Sequence, residues 1–230
     1  MSTNLKQEVD ITEIQPAFRA VDFFVITLAA LAGAFAAIYV LPGWVPGLSA
    51  SLTGSDPKFY WYLARGSAFA AYLLLWLSMI LGVGITNKLA ALWPGLPPTI
   101  DLHQYSSILG LVFAAFHGLI LLGDHYINFT LVQIFIPFSA ISYKPLQVGL
   151  GQLSFYLWII IVVSFYLRKK IGSKSWRVIH YFSFSIFTFS LFHGVTSGSD
   201  AKTPWAQGIY WSTGLILLLL VFHRLKYFIA

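Results

Sequence analysis

The sequence predicts an all-α protein, a polytopic membrane bundle of six transmembrane helices. Three observations carry this. Hydrophobic residues make up 58% of the 230-residue chain and charged residues only 10%, where a soluble domain carries about 25% charged residues. The apolar residues fall into runs of roughly 20, the length that crosses a ~30 Å hydrocarbon core as a helix. The runs are continuous rather than alternating, which excludes a transmembrane β-barrel.

Taken in order, the predicted spans cover about residues 20–41, 60–85, 101–123, 147–168, 176–195 and 206–228. The first is too long for a signal-peptide core and follows a mixed-charge stretch with Lys6, Glu8, Asp10, Glu13 and Arg19, so it is a true span. Residues 1–19 form a polar cytoplasmic N-terminal segment, either a short interfacial helix or disordered. Residues 20–230 form one domain with no internal boundary. Pro42, Gly43, Pro46 and Gly47 break the first connection, and Pro94, Gly95, Pro97 and Pro98 break the second. The fourth connection is short and basic, with Arg168, Lys169, Lys170, Lys174 and Arg177.

Positive charge sets the orientation. With the N-terminus inside, the inner face holds Lys6, Arg19, Lys88, Arg168, Lys169, Lys170, Lys174, Arg177, Arg224 and Lys226, and the outer face only Lys58, Arg65, Lys144 and Lys202. Both termini are therefore expected in the cytoplasm of a multi-pass cell-membrane protein, of the bacterial plasma-membrane kind. The net charge of +6 reflects this asymmetry and does not point to nucleic acid. The absence of cysteine excludes disulfides, iron–sulfur clusters, covalent c-type haem attachment and zinc–thiolate sites.

Four of the six histidines lie in two spans: His103 and His117 in span three, His180 and His193 in span five. Ionisable residues inside a membrane are costly and mark functional sites. Each pair is separated by about 20 Å along its helix, far too much for two ligands of one metal ion. Spans three and five run parallel, so His103 lies level with His180 near the inner face and His117 level with His193 near the outer face. Two imidazoles facing across a gap hold one planar iron macrocycle, which predicts two bis-histidine b-type haems stacked between spans three and five. Phe116-His117-Gly118 and Phe192-His193-Gly194 share a tripeptide whose glycine would let a flat ring approach the backbone. On an ideal helix a 14-residue step returns to within about 40° of the same face, but a 13-residue step lands about 140° away. Span five therefore needs tilt, a local irregularity or laterally offset haems, and Ser183, Ser185, Thr188 and Ser190 are candidates for easing a bend.

His-x13-His in span three, His-x12-His in span five, Ala64-Arg65-Gly66 and Trp176-Arg177-Val178-Ile179-His180 together resemble the ferric reductase-like transmembrane domain family. That family includes the membrane parts of NADPH oxidases and ferric-chelate reductases and the bacterial methionine-sulfoxide-reductase haem subunit. The resemblance runs from about residue 20 to 228. It implies that His103 and His180 ligate an inner haem, His117 and His193 an outer one, and that electrons pass from a cytoplasmic donor to an outer acceptor. The NADPH oxidases and ferric reductases carry a C-terminal flavin- and nicotinamide-binding region. This sequence ends at Ala230 with no Gly-rich phosphate loop. FAD and NAD(P)H are accordingly expected only on a separate partner, and the donor is a flavoprotein reductase or a quinol. The acceptor is a ferric chelate, dioxygen or a partner oxidoreductase.

Other residues carry weaker signals. Arg65 reads as the partner of an outer-haem propionate or of a small acceptor, with an interfacial anchor as the alternative. Arg177 and Lys174 are placed for inner-haem propionates, or are ordinary inner-loop charges. His125, beside Asp124, reads as an acceptor-side residue or a solvated one, and His223 as interfacial. Asp101 either caps the start of span three or accepts a proton from a ligand ring. The competing functions are a quinol-oxidising cytochrome b subunit and a non-redox transport or assembly protein. The lack of any Asp or Glu deep in a span counts against the latter.

Overall fold

The computed structural model describes residues 14–40, 59–87, 89, 95–124 and 126–229, without the side chains of residue 37 and residues 226–229. His125, Lys6, Lys58, Lys88, Pro94 and the first connection with Pro42, Gly43, Pro46 and Gly47 lie outside the described residues, as does the side chain of Lys226. The described chain is all-helical, and six helices are long and apolar enough to cross a membrane.

Helix α1 (Ala20–Phe35) runs on into a π-turn at Ala36–Val40. Helix α2 spans Phe59–Thr86, and α3 spans Leu96–Ile120 with a 3-10 turn at Leu121–Gly123. A short helix α4 (Leu131–Phe135) precedes α5 (Pro145–Ile171). The fifth span is two helices, α6 (Ser173–Tyr181) and α7 (Ser183–Ser197), and α8 covers Pro204–Ile229.

Span three starts earlier than expected, at Leu96. Pro97 and Pro98 fall in its first turn, where a missing N–H costs nothing, so they begin the helix instead of breaking the chain before it. This also corrects Asp101. The cap position is Gly95, with φ +108°, and Asp101 is exposed within the helix. Residues 14–19, the described part of the segment before α1, bond to α3 and α5. Gln104 accepts from the Ala17 N–H at 2.8 Å, Tyr166 donates to the Phe18 carbonyl at 3.1 Å, and Arg168 donates to the Ile14 carbonyl.

Helix α2 packs along most of α3, α5 packs along α7, and α1 leans on α3. Most of α1 lies outside the core, with Val21, Phe24, Val25 and Leu28 exposed as for a lipid-facing helix. With lipid outside as apolar as the core, contact between helices rests on close packing and internal polar bonds. Tyr72 and Thr213 share a hydroxyl bond of 2.6 Å, Trp76 donates to the Thr213 carbonyl at 3.0 Å, and Ser154 bonds Ser190 at 2.6 Å. Trp158 is buried at the centre, donating to Ser107 at 3.1 Å. Its ring lies so close to α3 that a Cβ on Gly110 would sit 2.7 Å from it.

Gly110→Ala is therefore expected to destabilise the bundle by about 1–3 kcal/mol through overpacking. Gly66→Ala, where a Cβ meets nothing within 4 Å, should be neutral or slightly stabilising. Thermal unfolding of both variants in detergent checks the contrast.

Candidate functional site

The structure brings the four intramembrane histidines together as two pairs. His103 and His180 have ring centroids 6.0 Å apart, and His117 and His193 have them 6.3 Å apart. Three of the rings are oriented by backbone carbonyls of a neighbouring helix. His103 Nδ1 lies 2.8 Å from the Ser78 carbonyl, His117 Nδ1 2.8 Å from that of Ala64, and His193 Nδ1 2.9 Å from that of Gln147. A carbonyl only accepts, so Nδ1 carries the proton in each and Nε2 keeps its lone pair. His180 differs: its Nδ1 is buried with no hydrogen-bond partner among the described residues, and its ring stacks on Trp176 at 4.8 Å.

Glycines on the facing helices make these imidazole contacts possible. A Cβ on Gly151 would lie 2.7 Å from His193 Nδ1, and one on Gly82 3.2 Å from His103 Cε1. Gly118 and Gly194, beside the ligands, line the cavity next to His117 and His193, and Gly194 also makes room for the Tyr210 hydroxyl. The glycines that seat the imidazoles lie on the facing helices, a relation that spacing along one helix does not reveal.

Span five carries a break between α6 and α7, which supplies part of the rotation that the 13-residue step lacks. Phe182 N–H bonds the Ile179 carbonyl at 3.1 Å, a tight turn two residues after His180. Such a turn advances about 120° per residue instead of about 100°, in the sense needed to complete the fourth turn. The hydroxyls downstream do other work, Ser190 bonding Ser154 and Thr188 its own helix.

His117 and His193 line a cavity of about 700 Å³ with mainly apolar walls, a volume within the range of about 300–1,000 Å³ for cofactor and ligand sites. His103 and His180 line a smaller one of about 100 Å³. Leu75 and Trp158 line both and form the partition between them.

One wall of the large cavity is a segment that the spans did not suggest. Helix α4 begins with a reciprocal cap between Thr130 and Gln133, and its last carbonyls are taken by α5. Gln152 Nε2 donates to Gln133 and Ile134 at 2.8 and 2.7 Å, and Tyr156 donates to Phe135. Gln152 lies seven residues into α5, about 10 Å along it, so α4 dips alongside the spanning helices. Irregular backbone is tolerated at such depth only where its polar groups are satisfied. Leu131, Gln133, Ile134 and Phe135 line the cavity, and Val132 and Ile136 are exposed away from it. The Thr130-x-x-Gln133 pattern ahead of an apolar run is a capping signature that marks this helix in the sequence. Beyond it, burial raises the Tyr143 hydroxyl above its ordinary range, and the protonated group donates to the Ser197 carbonyl at 2.8 Å.

The charged candidates separate. Arg65 lines the large cavity, stacks on Trp61 at 4.0 Å and pairs with Asp200, a buried residue that the sequence reading did not single out. Lys174 and Arg177 are exposed and do not line the small cavity, whereas Arg224 does. His223 is exposed on α8, and His125 lies outside the described residues.

Each pair offers two imidazole nitrogens, and among the described residues no group of three or more His, Cys, Asp or Glu side chains is placed to hold a metal ion. A metal about 2.0 Å from each of two axial Nε2 atoms would set the ring centroids about 6.3 Å apart, close to both observed separations. Compared with protein families, curated proteins and solved structures, the chain matches none.

Gln152→Leu removes both donors to α4 while keeping the side-chain volume. Amide exchange across residues 131–138 is expected to accelerate about 5- to 150-fold, as for a segment losing about 1–3 kcal/mol of protection. Hydrogen-exchange mass spectrometry in lipid nanodiscs measures it.

Proposed function

We propose that the chain is a membrane electron-transfer subunit holding two b-type haems, one between His103 and His180 and one between His117 and His193, as in the ferric reductase-like transmembrane domain family that its histidine spacing resembles. The observation that carries this reading is the pair of ring separations, 6.0 and 6.3 Å, each of which would admit one iron between the two imidazoles. Two protein ligands are too few for a bare cation and suit an iron whose four equatorial ligands come from a macrocycle. Bound there, each haem supplies a one-electron ferric/ferrous couple.

The chain's own residues hold, orient and insulate. The carbonyls of Ser78, Ala64 and Gln147 keep the Nδ1 proton on His103, His117 and His193, which fixes the tautomer and raises the basicity of Nε2. The apolar walls and α4 keep water and lipid from the His117/His193 site. Trp158 separates the two sites at the bundle centre. The cavity at the His103/His180 site, about 100 Å³ with Phe184 on its wall, is narrower than the one at His117/His193, and a group bound between these two histidines would need it to open. Arg224 is the cation for a carboxylate there. At the other site Arg65, already paired with Asp200, is the nearest cation.

The direction of transfer follows charge. Arg19, Arg168, Lys169, Lys170, Lys174, Arg177 and Arg224 lie at the His103/His180 end, and Arg65, Lys144 and Lys202 at the other, which supports a cytoplasmic position for the former. The donor is then a cytoplasmic flavoprotein reductase or a quinol, and the acceptor a ferric chelate, dioxygen or a redox protein at the outer face.

Pyridine haemochrome quantification and dithionite-reduced spectra of the purified protein test the reading. About two haems b per chain with sharp low-spin bands are expected, falling to about one in His117→Ala/His193→Ala and in His103→Ala/His180→Ala. Protein that is folded yet haem-free after expression in haem-supplied cells refutes it.

A further inference from the structure

Lys174 and Arg177 line neither cavity, and nor do Lys169 and Lys170 at the end of α5. All four are exposed, and among the described residues none has an ion pair or a hydrogen bond. The carboxylates described at this end are Asp22, already bonded to Arg19 at 2.9 Å, and Asp101, exposed on α3. The four cations thus share one corner, two on each side of Gly172, where the chain turns with φ +82°. Like charges this close repel one another, and an anion brought among them relieves the repulsion.

The helix that carries two of them is lightly held. Helix α6 buries no side chain and packs chiefly on α5. It also carries His180, whose Nδ1 has no hydrogen-bond partner among the described residues. The stack of His180 on Trp176 lies within α6 itself, and Trp176 meets α5 through Phe165, at 6.3 Å between centroids. The position of His180 opposite His103 therefore rests on the seating of α6.

The outward face of α6 has the composition of a lipid contact. Val178 and Tyr181 follow Lys174 by four and seven residues, on the same side of the helix, and both are exposed, as is Phe182 beyond them. Tyr181 lies about 10 Å further along the span than Lys174. Cations at the end of a span with apolar side chains one to two turns deeper match a headgroup above its acyl chains. A soluble acidic protein would leave that apolar strip uncovered.

We propose that the α5–α6 corner is a binding surface for an anionic phospholipid, its phosphate among Lys169, Lys170, Lys174 and Arg177 and an acyl chain along Val178 and Tyr181. The phosphate joins cations on both sides of Gly172. It binds better when α6 is seated on α5 than when α6 swings away and the two pairs part, so it shifts the balance toward the seated form. The lipid thereby steadies His180 without bonding to the imidazole. This holds whatever group the histidines bind.

Hydrogen-exchange mass spectrometry of the full chain tests it, in nanodiscs of phosphatidylcholine alone and of phosphatidylcholine mixed equally with phosphatidylglycerol. Exchange across residues 173–181 is expected to slow about 5- to 30-fold with the anionic lipid, as for one or two cations each contributing about fivefold, while residues 183–197 change little. Raised salt should weaken the effect. Lys174→Gln/Arg177→Gln changes only exposed side chains and should lose most of the response, with exchange across 183–197 as in the wild type. Lys202→Gln, exposed at the opposite end, should keep it. Equal exchange in the two lipids, or a response that survives Lys174→Gln/Arg177→Gln, overturns the inference. So does equal protection in phosphatidylcholine by inorganic phosphate, which would make the corner a site for a free anion, or by polyglutamate, which would make it one for an acidic protein.

Discussion

The second lone pair of a helical carbonyl is the group on which the site depends. In a bilayer no water competes for a buried N–H, so an unpaired imidazole is costly there, and three of the four are satisfied by a carbonyl of the protein. Ser78 and Ala64 lie within α2, and besides serving their own helix their carbonyls each take a histidine from α3, that of Ala64 accepting from the Ser67 hydroxyl as well. Gln147, in the first turn of α5, does the same for His193 on α7. Such a bond needs the imidazole against the neighbour's backbone. Gly82 and Gly151 provide that approach, since a side chain at either would occupy the space of the ring. The close pairing of α2 with α3 and of α5 with α7 thus serves packing and histidine orientation together.

The same requirement explains the irregular parts. Helix α4 exists beside the spanning helices because Gln152 and Tyr156 satisfy its terminal carbonyls. Without those donors, three consecutive carbonyls facing apolar surroundings would each cost about 1–3 kcal/mol. Once anchored, the segment closes the large cavity on its lipid side and presents Val132 and Ile136 outward. Arg65 and Asp200 are treated likewise, each charge brought in with its partner rather than alone. The bundle therefore carries a wide apolar cavity and several buried polar groups at once, because almost every polar group is paired within the protein.

Composition and periodicity by themselves determined the all-helical class, the six spans, the charge asymmetry between the two ends and the histidine spacing. These are one-dimensional properties: a run of about 20 apolar residues dictates a helix because no other local structure satisfies its backbone in lipid. The level of each histidine follows from rise per residue along parallel helices. Tertiary structure decided what depends on other helices. The carbonyl anchors lie 25, 53 and 46 residues from their histidines, and the seating glycines lie on facing helices rather than beside the ligands. Asp200 meets Arg65 across 135 residues, and Arg224, not Arg177 or Lys174, lines the small cavity because α8 passes it while α6 turns those charges outward. The 13-residue spacing left tilt, a local irregularity and offset sites open, and the structure places a break at Phe182. Partnerships of this kind leave no periodic trace in a sequence, because closeness in space is set by how helices cross and not by their order along the chain.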